Sequence, residues 1–106
     1  GSIINISSSV GRHGKALWGA YAASKFGLEG LTQVLADELQ SSSVRVNSVN
    51  PGGTRTEMRA KAYPYEDPMT LPTPDDIAPV FVYLASDESI GVMGKELNAR
   101  DWISRR

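Results

Sequence analysis

The sequence predicts an α/β fold, part of a doubly wound parallel sheet (Rossmann-like), on three observations. Segments of strand and helix character alternate as strand–helix–strand–helix–strand along the chain. The connections are of helix length, as parallel strands require, because a tight turn can join only antiparallel neighbours. The first strand carries β-branched residues on both faces, the composition of a strand covered by helices on either side. No internal repeat and no interdomain linker interrupts this order.

Residues 2–7 form that first strand, with Ile3, Ile4 and Ile6 directed to both faces. A flexible stretch follows from 8 to 19, punctuated by Gly11, Gly14 and Gly19. Residues 20–40 read as a helix in which Leu28, Leu31, Leu35 and Leu39 share one face. Ala22, Ala23, Phe26, Gly27, Gly30 and Val34 add a second small or apolar surface, so the arc is wider than one sheet contact needs. Gly27 and Gly30 cost helix stability, and close approach of another backbone is the expected compensation. After a triple-serine break, residues 44–49 form a second strand, ended by Asn50-Pro51-Gly52-Gly53. Residues 57–72 are an exposed loop with a short helix. Thr73 caps the next helix, residues 73–86, with Pro74 in its first turn and Asp75 and Asp76 at the positive end of its dipole. Ile77, Val80, Phe81 and Leu84 make its apolar stripe, and Pro79 is expected to kink it. Residues 95–99 form a third strand.

The chain has 106 residues, 41% hydrophobic and 22% charged, which suits one small soluble domain. A net charge of -1 gives no reason to expect a nucleic acid or an anionic membrane as partner. The absence of cysteine excludes disulfides and thiolate chemistry and agrees with a reducing cytoplasm. No apolar run reaches the length of a membrane span, and the start lacks a basic region followed by an apolar core.

The chemistry concentrates in Ser8 and in Tyr21-Ala-Ala-Ser-Lys25. Tyr21 and Lys25 are four apart on a helix and project from one face. Ser8 lies just past the carboxyl end of a parallel strand, the edge where open α/β sheets place ligands. A hydroxyl, a phenol and an ammonium converging there suit a carbonyl or alcohol. A phenol with a pKa of about 10 is a poor base near neutrality, and a neighbouring ammonium lowers that value. The serine hydroxyl can hold an oxygen on which charge develops.

Tyr-x-x-x-Lys with Ser8 thirteen positions before Tyr21, then Asn50-Pro51-Gly52, resembles the short-chain dehydrogenase/reductase family, from the first residues to about Ala99. Residues 11–21 and 50–56 resemble a bacterial branch of oxidoreductases within it. The resemblance implies NAD- or NADP-dependent hydride transfer between an alcohol and a ketone or aldehyde. It implies that Ser8 orients the substrate oxygen, and that Tyr21 is the general acid/base beside the cofactor. Lys25 would hold the nicotinamide ribose and lower the pKa of Tyr21. Pro51, Gly52 and the backbone near Thr54 would contact the nicotinamide carboxamide, with Thr56 nearby and residues 57–72 as the variable substrate loop. It further implies a homo-oligomer paired through the helix at 20–40. The family's glycine-rich dinucleotide fingerprint and its Asn-Asn-Ala-Gly segment do not occur in this sequence, so residues 1–106 are expected to be a partial domain lacking the N-terminal dinucleotide-binding half and incompetent in isolation. The alternative is a non-catalytic remnant or association module. At the C-terminal end, Asp101-Trp102-Ile103 stands where the family usually has Asp-Gly-Gly.

Several residues invite chemistry and are better read plainly. His13, the lone histidine, is a solvated loop residue, and no metal site is expected. Arg12 and Lys15 read as solvated loop charges, and Ser7 and Ser9 as structural neighbours of Ser8. Gly11 and Gly14 lack the spacing of a phosphate loop. Asp75 and Asp76 are helix-start residues rather than a catalytic carboxylate pair. Trp18, just before the helix, either lines a substrate pocket or merely packs, and the pocket reading is preferred.

Overall fold

The computed structural model describes residues 1–105, with side chains through residue 103. Three parallel strands, β1 (Ser2–Ile6), β2 (Arg45–Asn50) and β3 (Glu96–Asn98), form one sheet in the order β1-β2-β3. The register pairs Ile4 with Asn47 and Val49 with Leu97. Helix α1 (Gly19–Glu38) connects β1 to β2. Helices α2 (Glu57–Ala62) and α3 (Pro74–Ala85) lie between β2 and β3. The α/β parallel architecture is the one the alternation predicts.

Central strand β2 is buried on both faces. Val49 joins Ile77, Val80 and Leu84 of α3 and Ala99 in the core. On the opposite face, the Asn5 side chain donates to Thr32 of α1 at 2.8 Å, and Ser48 hydrogen-bonds to Glu29. One helix therefore covers each face of the sheet.

Helix α3 begins as its sequence dictates. Thr73 Oγ accepts the Asp76 N–H at 3.2 Å, and the Asp76 carboxylate accepts the Thr73 N–H at 2.9 Å. This reciprocal box satisfies two amide donors that the first turn would otherwise leave unmet. Residues 57–72 contain α2 and a short 3₁₀ turn, Pro68–Thr70.

Four expectations need correction. Ile4 packs on the core, but Ile3 and Ile6 are exposed, because β1 is an edge strand in this sheet and Ile6 opens onto a cleft. In α1 the buried residues are Glu29, Thr32 and Ala36, whereas Leu31 is exposed. The leucine stripe thus marks the border of the buried face rather than its centre. A Cβ on Gly27 or Gly30 would meet nothing within 4 Å, since both face away from the sheet, so among the described residues no other backbone approaches them. The stretch after β1 is also more ordered than punctuation by glycine suggests, because Ser9–Gly11 is a 3₁₀ turn.

The C-terminal segment packs despite its unusual wording. Ala99–Arg105 is a 3₁₀ helix, Trp102 and Ile103 pack against the core, and the Trp102 ring lies 4.6 Å from that of Tyr83.

Candidate active site

The carboxyl ends of β1 and β2 open onto a cleft of about 730 Å³. Ser8, Tyr21, Pro51, Gly52, Thr54 and Thr56 all line it, and so does Trp18. Residues from three separate stretches are therefore gathered at the sheet edge where α/β folds hold ligands.

Ser8 ends the extended run of β1 and caps the 3₁₀ turn that follows. Its Oγ accepts the Val10 N–H at 3.2 Å. That bond occupies a lone pair and leaves the hydroxyl hydrogen available to donate. Tyr21 stands in the first turn of α1 and is 43% exposed, packed edge-on against Trp18 at 5.5 Å between ring centroids.

Lys25 sits one turn further along α1 and is not among the cleft-lining residues. Its ammonium donates to the Ile6 carbonyl at 2.9 Å and lies 5.6 Å from the centre of the Tyr21 ring. The expected convergence is therefore staggered: serine and phenol face the cleft, and the ammonium stands beside the phenol. Gly11 permits this packing. A Cβ there would fall 2.9 Å from both Lys25 Cβ and Ser7 Oγ, so the serine turn rests directly on α1.

The opposite wall is a backbone turn. Gly52 has φ +72°, the left-handed region that glycine enters at little cost, and its N–H donates to Asn50 Oδ1 at 3.0 Å. Thr54 Oγ donates to the Gly52 carbonyl at 3.2 Å. Thr56 Oγ accepts the Arg59 N–H at 3.1 Å and so starts α2. The Arg100 guanidinium donates to the Gly53 carbonyl at 2.8 Å, fastening the C-terminal segment to this turn.

Beneath the serine turn lies an ionic network that the sequence reading missed. Arg12 is no solvated loop charge: its side chain is 15% exposed, and its Nε pairs with the 7%-exposed Glu29 at 2.6 Å. Its other nitrogens donate to Asn98 at 2.8 Å and Ser48 at 3.4 Å, with Glu96 at 3.6 Å. One guanidinium thereby ties the loop to α1, β2 and β3. Burial raises the pKa of Glu29, but hydrogen bonds from Ser48 and Arg12, the Arg12 charge and a bond from Ser7 together hold it below the usual carboxylate value. Ser7 is buried and supports this network, whereas His13 is exposed. A carboxylate at Glu29, one turn after Lys25 on the same helix face, was the available signal.

On the cleft's outer wall, Arg59 makes a two-pronged pair with Glu66 at 2.9 and 3.0 Å. The hydrogen bond from Arg59 lowers the Glu66 pKa. Among the described residues no group of His, Cys, Asp and Glu could hold a metal ion, and no helix is long and apolar enough to cross a membrane.

A parallel sheet with a serine past β1 and a Tyr-x-x-x-Lys helix defines a class, and residues 1–67 match the short chain dehydrogenase family. The chain belongs to the short-chain dehydrogenase/reductase family. It is 57% identical over 100 residues to the uncharacterised oxidoreductase YciK of Escherichia coli K12, covering 94% of this chain and 39% of that protein. A short-chain dehydrogenase from Salmonella enterica serovar Typhi superposes with a TM-score of 0.91 at 57% identity, over 94% of this chain and 41% of that one. A short-chain dehydrogenase from Shigella flexneri, solved in complex with NADP, gives 0.90 at 57% identity, over the same 94% and 41%. The chain thus spans about two-fifths of the length of these relatives.

Proposed function

We propose that residues 1–106 are the C-terminal, substrate-side part of an NAD(P)-dependent oxidoreductase that interconverts an alcohol and a ketone or aldehyde. The observation that carries this reading is Tyr21 facing the same cleft as Ser8, with the Lys25 ammonium 5.6 Å from its ring. The Shigella relative's complex with NADP supports a nicotinamide cofactor.

The cleft fits such a cofactor on the side of residues 51–56. Gly52 and Gly53 present backbone to the cleft, with Arg100 and Arg59 packed on their Cβ sides, and Thr54 and Thr56 add hydroxyls. Pro51, Gly52, Thr54 and Thr56 would hold the nicotinamide end, and Lys25 with Tyr21 the ribose. When bound, the cofactor supplies or takes up the hydride. Ser8 donates its free hydroxyl hydrogen to the substrate oxygen and fixes its position. Tyr21 passes the proton to or from that oxygen, with the Lys25 ammonium standing beside its ring.

Residues 1–106 contain no glycine-rich phosphate turn and are incompetent by themselves in this reading. A cytoplasmic setting suits a chain without cysteine. A homo-oligomer suits the apolar outer face of α1, where Phe26, Leu31 and Val34 are exposed.

The test is Tyr21→Phe in the full chain that carries these residues. Carbonyl reduction should fall by about 10²–10⁴, the usual contribution of a general acid/base. Cofactor affinity, read from NADPH fluorescence, should fall far less than turnover, because Lys25 and the wall at residues 51–56 still hold the cofactor. Turnover unaffected by Tyr21→Phe would remove this reading.

A further inference from the structure

The substrate side of the cleft has an uncompensated charge. Two cations line it, Lys15 and Arg59, and no aspartate or glutamate does. Arg59 is answered by Glu66 through two hydrogen bonds. Lys15 has no carboxylate partner among the described residues. It is held instead by aromatic faces, with its ammonium 5.3 Å from the centre of Trp18 and 5.9 Å from that of Tyr63.

Those rings come from opposite walls, Trp18 from the start of α1 and Tyr63 from the end of α2. The backbone is bent to bring Lys15 and Trp18 together. The Trp18 N–H donates to the Lys15 carbonyl at 3.1 Å, and Leu17 between them has φ +72°. A non-glycine residue in that region is strained, and such strain gathers at ligand sites. Leu17 itself is wholly exposed, so its side chain gives no packing reason for the turn. Met58, Ala62 and Phe81 make the remaining wall apolar.

We propose that Lys15 receives the anionic group of a carbonyl substrate whose apolar or aromatic body lies between Trp18 and Tyr63. This rests on the oxidoreductase reading of the same cleft and narrows it to an anionic, partly apolar carbonyl compound or its alcohol. An ammonium resting on π faces keeps its full charge and gives up only a weak contact when a carboxylate arrives. The rings then close on the substrate from both sides. The cofactor's phosphates are the other anions this cation could meet, and the experiment separates the two.

The full chain, saturated with NADPH, is titrated with 4-acetylbenzoate and with its neutral amide, 4-acetylbenzamide, by ligand-observed NMR. The acid should bind about tenfold more tightly, the worth of one charge-assisted hydrogen bond. Lys15→Met should erase that preference, and Lys15→Glu should reverse it. Equal binding of acid and amide, no binding of either, or a preference that survives both substitutions overturns the proposal. A loss of NADPH affinity in Lys15→Met with the acid unaffected also overturns it, by assigning the cation to the cofactor. Reduction of the same two ketones, followed by NADPH absorbance, tests the underlying reading separately. Turnover without an acid preference removes the anion site and leaves the oxidoreductase. An acid preference with no turnover of any ketone does the reverse.

Discussion

Helix α1 buries polar side chains against the sheet and presents apolar ones on its other side. Glu29 and Thr32 are among its three buried residues, while Phe26, Leu31 and Val34 are 47%, 51% and 51% exposed. The inner face is held by specific partners: Arg12, Ser48 and Ser7 for Glu29, and Asn5 with the Leu28 carbonyl for Thr32. Among the described residues the outer face has no partner of that kind, and two of its positions are glycines with open space around them. Burial on one side is specified by charge and hydrogen bonds that place the serine turn against Lys25. On the other side hydrophobicity is left unspent within the chain.

The largest test of this contrast is on the inner face. Arg12→Met keeps much of the side chain's length and removes the charge opposite Glu29. Stranding a buried carboxylate should cost about 3 kcal/mol of folding stability, measured by urea denaturation at pH 7. The deficit should depend on pH. Glu29 has a depressed pKa in the folded protein, so its contribution is present above the unfolded value of about 4.3 and fades as pH falls through the folded value. The gap between wild type and Arg12→Met should therefore be full at neutral pH and narrow below about pH 4. A gap that stays constant down to pH 3 would show that Arg12 acts through packing instead.

The same contrast explains what could be read from sequence. Local signals were legible: the Thr73–Asp76 box lies within four consecutive residues, and Asn50-Pro51-Gly52 ends β2 as its backbone chemistry requires. Ser8, Tyr21, Pro51, Gly52, Thr54 and Thr56 were named from sequence, and the fold brings all six to one cleft. Arg12 was misjudged because its partners lie 17, 36 and 86 positions away, and no local pattern encodes such distances. The leucine stripe misplaced Leu31 because α1 has apolar residues around much of its circumference. Periodicity then fixes that the helix exists but not which way it is turned. Gly27 and Gly30 signalled a close approach, and the sequence could not say that nothing within this chain would make it.

The outer face gives the next test. If α1 pairs with a second copy across a two-fold axis, Val34→Asp places two carboxylates at one apolar contact. The association free energy should fall by about 2 kcal/mol, roughly a thirtyfold rise in the dimer dissociation constant by sedimentation equilibrium. Stability of the dissociated chain should move by no more than about 0.5 kcal/mol, because exposed positions tolerate such changes. An undiminished dimer would assign the apolar face to another role.

The smallest effect separates the two faces most cleanly. Gly27→Ala adds one methyl in the interior of α1, where a Cβ would touch nothing within 4 Å. Helix propensity then predicts a gain of about 1 kcal/mol in the stability of the monomer, because alanine has less backbone freedom to lose on folding. If a second copy's backbone approaches this face closely, the same methyl must displace it, and association weakens while the monomer gains. Opposite signs in one variant, from thermal melting at low concentration and sedimentation at high concentration, would be hard to obtain from any defect in folding. A gain in both would mean that the glycines leave room for nothing. A loss in the monomer itself would mean that Gly27 meets a group within its own chain, and the division of α1 into a self-satisfied inner face and an unpartnered outer one would fail at that position.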